Sequence, residues 1–328
     1  MIQTRKTLLL FSLLFCISGR LWATETQGVV VTIKPLHAMV SGVIGHTGKA
    51  ELLLTGNHSP HGIQLKPSQM RSLQEARVVF YIHDRFETFL ARVLPALPPR
   101  VRQVPVARHT GLTIYPMRQG GAWDAHDAHQ HHAQVHKHEE HAHEHEEHHA
   151  HQDAGQQDMH IWLDPQNARK IVALMAQELS AIYPQNRDIY QANAAAYSKK
   201  IEALDTELGT LLAGVQHKPF MVFHDAYQYF ERAYGLRGIG SITLEPDESP
   251  SPKRIKEVRK KLKQTGAQCV FREPQFSDRL VKTVIEGTDA KSDMLDPLGA
   301  YLDDTADSYF HLMRNMAQAF VRCFGLRE

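Results

Sequence analysis

The sequence predicts an α/β protein with two lobes, each a mainly parallel sheet flanked by helices, joined by one long connecting helix. Two series of short β-branched runs alternate with amphipathic helical stretches, which is typical of parallel sheets covered by helices. An apolar stripe with steps of three and four residues predicts the long helix between the two series. The length of the chain also suits two domains better than one.

The first series forms a predicted N-terminal lobe over residues 24–185. Its strands are predicted at Val29–Ile33, Glu51–Leu54, Val78–Ile82 and Val101–Val106. Its helices are predicted at Gln69–Ala76 and Arg85–Leu94. A His-rich segment at residues 124–157 interrupts this lobe. Because such long loops in compact domains are usually functional or disordered, we expect a disordered insertion.

A linking helix is predicted over residues 186–214, and a C-terminal lobe over residues 215–328. The apolar stripe of the helix consists of Tyr190, Ala194, Tyr197, Ile201, Leu204, Leu208 and Leu211. This stripe is far more typical of core packing than of a cofactor site. The C-terminal lobe contains predicted strands at Phe220–Phe223, Gly240–Leu244, Cys269–Arg272 and Ser292–Leu295, and predicted helices at Ser251–Gln264 and Asp303–Phe324.

Residues 1–23 have the features of a secretory signal peptide. A basic pair precedes an apolar run over residues 8–17, and Ala23 supplies the small residue after which we expect cleavage. The run is too short to span a membrane, so we expect a soluble exported protein with no direct membrane insertion. A lipid anchor at Cys16 is the alternative, which the bulky Phe15 disfavours.

Cleavage would leave a nearly neutral chain. The count of basic residues falls from 37 to 34 against 36 acidic residues, so the formal net charge changes from +1 to −2. This balance argues against a nucleic-acid or anionic-membrane partner.

Cys269 and Cys323 are the two cysteines that remain after cleavage. An even number in an oxidising compartment favours a disulfide between them. Two buried free thiols are the alternative. Metal binding by the pair is less favoured because the chain has no CxxC spacing.

The segment from His126 to His151 holds 12 of the 22 histidines. They are His126, His129, His131, His132, His136, His138, His141, His143, His145, His148, His149 and His151. Imidazole is the commonest protein ligand for zinc, copper and nickel, and the tract has too few apolar residues to form a core. We expect a flexible collector with many weak zinc sites; an inert spacer is the alternative. Its HExxH match follows from low complexity and does not predict a protease.

Three histidines outside the tract, His61, His160 and His224, are predicted at junctions between strands and helices. Ligand sites in open α/β sheets collect at the carboxyl ends of strands, and His61 and His224 fit this rule from opposite lobes. Separations of 99 and 64 residues exclude a local, finger-type site. They suit a site assembled in a cleft between the lobes.

Four segments resemble, in the same order, the solute-binding proteins of metal ABC importers. They are SPHGIQLKPS at residues 59–68, MHIWLDP at 159–165, FHDAYQYF at 223–230 and FREPQF at 271–276. The match covers essentially the whole mature chain, and the four motifs together are highly specific. The chain resembles most the periplasmic zinc-binding, ZnuA-like branch, to which the acidic His-rich insertion and the late cysteine pair are also similar.

The resemblance implies that His61, His160 and His224 bind the transported ion, Zn(II). It also implies a fourth-ligand candidate, Asp296, because related manganese and iron binders use a carboxylate there. Water and His58 are the alternatives, since Pro60 stands where some zinc binders have Glu. A third imidazole favours tetrahedral zinc over manganese.

The leading hypothesis is a periplasmic, monomeric carrier without enzymatic activity. It would capture Zn(II) between its lobes and deliver the ion to an ABC-type permease in the inner membrane. A manganese or iron carrier of the same architecture is one alternative, and an exported zinc buffer or hydrolase is another. Since a continuous helix resists bending, we expect small lobe adjustments on metal release and not a wide closure.

Overall fold

The computed structural model describes residues 25–118, 157–243 and 250–326. The predicted signal peptide, with its cleavage after Ala23, and the tract from His126 to His151 lie outside the described residues. Each lobe contains a four-stranded sheet in which every strand pair is parallel, with helices packed against it. The predicted fold class is therefore confirmed.

The sheet of the N-terminal lobe has the strand order β2-β1-β3-β4. The elements of this lobe are β1 (Thr26–Val31), α1 (Lys34–Ile44), β2 (Gly48–Leu52), α2 (Pro67–Glu75), β3 (Val78–Tyr81), β4 (Arg102–Pro105) and α3 (Pro165–Ile182). Phe80 packs into one apolar cluster and its neighbour Val79 into another, so both faces of the sheet are buried. Burial on both faces explains why these strands are continuously apolar in sequence.

The sheet of the C-terminal lobe has the strand order β6-β5-β7-β8. The elements of this lobe are β5 (Pro219–Val222), α5 (Gln228–Tyr234), β6 (Arg237–Ser241), α6 (Pro252–Thr265), β7 (Cys269–Arg272), α7 (Arg279–Ile285), β8 (Lys291–Met294) and α8 (Ser308–Cys323). The sulfur atoms of Cys269 and Cys323 lie 2.18 Å apart, which matches the predicted pair. This bond would attach the last helix to a central strand.

Helix α4 (Arg187–Leu212) connects the lobes and has 26 residues, or about 39 Å at 1.5 Å per residue. Its buried residues follow the predicted stripe, except that Leu212 replaces Leu211 as the last fully buried position. One apolar cluster contains residues of α4 together with residues of both sheets. The helix is therefore part of a core that the two lobes share. Among the described residues, no helix has the length and apolar character that a membrane span requires.

The segment predicted as the helix Arg85–Leu94 forms short 3-10 turns instead. The buried carboxylate of Glu87 accepts hydrogen bonds from the backbone N–H groups of Ile82 and His83, at distances of 3.0 and 2.9 Å. These bonds turn the chain back onto the end of β3. A side chain that binds the backbone in this way competes with helix formation.

Other boundaries also differ from the prediction. The strand predicted at Gly240–Leu244 lies at Arg237–Ser241, because glycines dilute the apolar signal at its start. The last helix begins at Ser308 and not at Asp303, since the Ser308 hydroxyl donates to the Asp303 carbonyl and forms a turn before the helix. The sequence patterns did not predict helices α1, α3, α5 and α7.

Candidate metal centre

Three imidazoles from distant parts of the chain meet where the two lobes face each other. His61 lies in the loop after β2, and His224 follows β5. His160 differs from the prediction, because it precedes a 3-10 turn that leads into α3 and does not follow a strand. The ring centroids lie 5.3–6.0 Å apart.

The three histidines offer ligand atoms that all lie within 4.8 Å of one another. His160 Nε2 and His224 Nε2 are 3.4 Å apart. Two nitrogens of a tetrahedral zinc site with bonds of about 2.0–2.1 Å are separated by about 3.3–3.4 Å. The described residues contain no other group of three or more His, Cys, Asp or Glu that could hold a metal.

The imidazoles open onto a small cavity of about 10 Å³, roughly the space of one ion or water. Apolar side chains form much of its wall. They are Pro60, Phe86, Phe276, Pro297 and Leu298. The ring of Phe86 contacts His61 edge-on, with centroids 4.7 Å apart. A site of this size and lining excludes bulk water.

Two of the histidines are oriented by buried carboxylates. His160 Nδ1 lies 2.8 Å from Asp158 Oδ1, and His224 Nδ1 lies 2.7 Å from Glu273 Oε1. The carboxylates accept from Nδ1 and thereby leave each Nε2 free to bind a metal. Such carboxylate–imidazole pairs fix the ring and raise its basicity as a ligand.

His61 is positioned by its backbone. Its carbonyl accepts a hydrogen bond of 2.6 Å from the Thr88 hydroxyl, and its N–H lies 3.3 Å from Ser59 Oγ. The bond from Thr88 connects the loop after β2 to the turn region after β3, and the bond to Ser59 lies within that loop. Thr88 belongs to one of the 3-10 turns that replace the predicted helix Arg85–Leu94. A turn, and not a helix, therefore supports His61.

The electrostatic environment differs among the three imidazoles. Burial, followed by the nearby His160 and His224, lowers the pKa of His61 to about 2. Burial, followed by His224, lowers the pKa of His160 well below its usual value. Burial also lowers the pKa of His224, but the charge and hydrogen bond of Glu273 outweigh it, so this pKa is raised. The lowered pKa values of His61 and His160 favour the neutral, metal-binding form, whereas the raised pKa of His224 lets protons compete with a metal for this imidazole at higher pH than for the other two.

The fourth-ligand candidates lie in different surroundings. The carboxylate of Asp296 accepts hydrogen bonds from the backbone N–H groups of Leu298, Gly299 and Ala300 at 2.6–3.1 Å, and from Gln275 Nε2 at 3.2 Å. Both of its oxygens therefore have partners.

His58, the other protein candidate, is exposed to solvent. Neither His58 nor Asp296 belongs to the described group of mutually close ligand atoms.

Sequence reasoning did not identify Asp158 and Glu273 as residues of the site. Asp158 stands two positions before His160, and Glu273 lies in the segment FREPQF that carries part of the family resemblance. Both are almost fully buried, with 3% and 2% exposure. A buried carboxylate needs a hydrogen-bonding or charged partner. The available signals were therefore the position of Asp158 close to a candidate ligand and the position of Glu273 inside a family motif.

Comparisons with known proteins identify the family of the chain. The chain matches the family model "ZnuA: Zinc-uptake complex component A periplasmic" over residues 29–323. It is 44% identical over 320 residues to the high-affinity zinc uptake system protein ZnuA of Brucella suis, with 95% of each chain covered. The corresponding protein of Yersinia pestis is 31% identical over 298 residues, with 91% of each chain covered.

Solved structures give the same result. A crystal structure of ZnuA has a TM-score of 0.69 at 27% identity, covering 91% of this chain and 99% of that one. A zinc-bound deletion mutant of ZnuA also has a TM-score of 0.69 at 27% identity, covering 90% and 98%. The chain therefore belongs to the ZnuA family, the periplasmic component A of zinc-uptake complexes.

Proposed function

We propose that this chain is a periplasmic solute-binding protein that captures Zn(II) between its lobes and delivers it to an ABC-type zinc permease. The observation that carries the proposal is the arrangement of His61, His160 and His224. Their ligand atoms converge on a space for one ion, and the 3.4 Å between two Nε2 atoms matches a tetrahedral site.

Zinc is preferred over manganese or iron because of the donor atoms. The cluster supplies three nitrogens and no carboxylate, whereas manganese favours oxygen donors at higher coordination number. The high-affinity zinc uptake proteins of Brucella suis and Yersinia pestis support this choice. A manganese or iron carrier remains the alternative that metal competition would detect.

We propose water as the fourth ligand. Asp296 already accepts four hydrogen bonds, and it would have to give up several of them to reach the ion. His58 is exposed and would need its loop to move. The small apolar cavity would then limit exchange of the bound water.

We further propose that the tract from His126 to His151, outside the described residues, collects zinc through many weak sites. A tethered collector raises the zinc concentration near the cleft without adding contacts to it. The divisions at residues 24–185, 186–214 and 215–328 remain our proposal for the domains. Cleavage near Ala23, a monomeric state and docking on an inner-membrane permease are further parts of the proposal.

The test is to replace His61, His160 and His224 by Ala, singly and together, in the full chain. Isothermal titration with Zn(II) should show that the tight site is lost while weak sites persist. Growth under zinc limitation should fail with the triple variant. A tight site that survives the triple substitution would place binding elsewhere, and unimpaired growth would favour a metal buffer.

The alternatives have their own readouts. Metal content after purification without an affinity tag, with competition between Zn(II) and Mn(II), separates the zinc carrier from a manganese carrier. Hydrolytic activity that disappears with the metal would support the hydrolase. A carrier should show none.

A further inference from the structure

Arg118 places a positive charge, on a side chain that is 20% exposed, between the two lobes, in the segment that leaves the N-terminal lobe after β4. Its guanidinium donates through Nε and Nη2 to Asp225, and through Nη1 and Nη2 to Glu231 at 2.7 and 3.0 Å. The side chains of Asp225 and Glu231 are only 7% and 6% exposed. One guanidinium thus bridges two buried carboxylates, a geometry that lysine cannot reproduce.

The partners of Arg118 belong to the part of the C-terminal lobe that carries one metal ligand. Asp225 directly follows His224, and Glu231 lies in α5, the next helix. The bridge therefore fixes the chain between His224 and α5 relative to the segment after β4 that contains Arg118. Without it, two buried carboxylates would face each other without a compensating charge.

The segment that contains Arg118 also supports a second proposed ligand, His160. The N–H of Asp158 donates to the Tyr115 carbonyl at 2.9 Å, and the Tyr229 hydroxyl donates to the Asp158 carbonyl at 2.7 Å. The Tyr115 N–H in turn donates to the Tyr229 hydroxyl at 3.0 Å. Asp158 orients His160, so the support of this ligand rests in part on Tyr115, three residues before Arg118 in the chain.

We propose that Arg118 is a positioning residue that sets the separation of His160 and His224. It binds the element that carries His224, while its own segment supports the carboxylate that orients His160. Metal–ligand distances in well-formed sites stay within about 0.2 Å of their usual values, so a shift of one support relative to the other should affect binding. The inference rests on the proposed function, because it assigns a role at the proposed zinc site.

The test compares R118M and R118K with the unaltered full chain. R118M should weaken zinc binding roughly 10- to 100-fold, the usual effect of disturbing the support of a metal ligand. The visible absorption spectrum of bound Co(II) should lose the intensity typical of tetrahedral coordination. R118K keeps the charge but not the bridge, and should recover part of both properties.

A matched control is K34M. Lys34 is also a cation between the lobes, whose Nζ donates to the Leu302 carbonyl and pairs with Asp304 at 3.1 Å, yet it supports no histidine of the site. K34M should lower thermal stability while leaving the zinc dissociation constant and the Co(II) spectrum close to those of the parent.

G238A disturbs the bridge without changing its charge. A Cβ at Gly238 would lie 2.6 Å from Glu231 Oε2, so the carboxylate must move. G238A should weaken zinc binding in the same direction as R118M, and it carries the test if R118M does not fold.

Parent-like affinity and Co(II) spectra in R118M, or in G238A where R118M does not fold, would overturn the inference. Equal loss of affinity in K34M would also overturn it, because general lobe contacts would then suffice. The triple histidine substitution separates the two proposals. If that variant keeps the tight site, the proposed function fails. If it loses the tight site while R118M binds normally, only the role of Arg118 fails.

Discussion

Replacing Glu273 by Gln tests whether the buried carboxylate makes His224 a stronger ligand. Glu273 Oε1 lies 2.7 Å from His224 Nδ1, and the two side chains are 1% and 6% exposed. Loss of such a partner weakens metal binding roughly 10- to 100-fold, which corresponds to about 1.4–2.7 kcal/mol. We expect a reduction in this range at pH 8, where fewer protons compete with zinc for His224 than at lower pH.

The pH dependence of this effect follows from the sign of the pKa shift. Glu273 raises the pKa of His224, so zinc must displace a proton from the parent protein as pH falls through that raised value. In E273Q the pKa is lower, and the proton competes only at lower pH. The affinity gap between parent and variant should therefore narrow as pH decreases from 8 to 5.

Competition with a chromophoric chelator across this pH range measures both quantities. Glu178, a carboxylate that binds Arg102 away from the site, provides the control, and E178Q should bind zinc like the parent. Equal affinity of E273Q and the parent at pH 8 would refute the reasoning. A gap that widens toward low pH would show that the sign of the His224 shift is wrong.

Three further outcomes are expected. Replacing Cys269 and Cys323 by Ala should lower the free energy of unfolding by about 4 kcal/mol in urea titrations, given a sequence separation of 54, and leave zinc affinity unchanged. D296N should cost about 1–2 kcal/mol of stability through its backbone hydrogen bonds and change chelator-measured zinc affinity by less than about tenfold. A loss far beyond that would identify Asp296 as a ligand. Deleting residues 125–151 should leave one tight site in calorimetry and remove the weak sites. In the parent, the weak sites should bind zinc less tightly once the pH is lower than about 6.5, because their imidazoles become protonated. Disappearance of the tight site in the deletion variant would contradict the assignment.

The sequence was most informative where a periodic pattern and burial coincide. The stripe from Tyr190 to Leu208 predicted α4, and β7 lies at the predicted residues Cys269–Arg272. Prediction failed after β3, where the segment Arg85–Leu94 is amphipathic in sequence but its Glu87 carboxylate accepts hydrogen bonds from the backbone N–H groups of Ile82 and His83. Local periodicity contains no information about that tertiary choice.

The residues of the candidate site were likewise predictable only in part. The family motifs pointed to His61, His160 and His224, and the structure brings these three together. The partners Asp158 and Glu273 could be recognised only in the three-dimensional structure, because the evidence for each is its short distance to an imidazole. Spacing along the chain cannot supply a distance between residues 49 positions apart, such as His224 and Glu273.

The apolar cluster that the two lobes share through α4 determines how a destabilising substitution in one lobe affects the whole protein. Because residues of both sheets and of the helix belong to one interior, we expect the two lobes to unfold together and not independently. Two substitutions that lower the free energy of unfolding by the same amount should then raise the unfolded fraction by the same factor, whichever lobe they lie in. Bound zinc, in turn, stabilises regions far from the cleft by mass action. In zinc-starved cells, the carrier would thus be most vulnerable to proteolysis when its cargo is scarce.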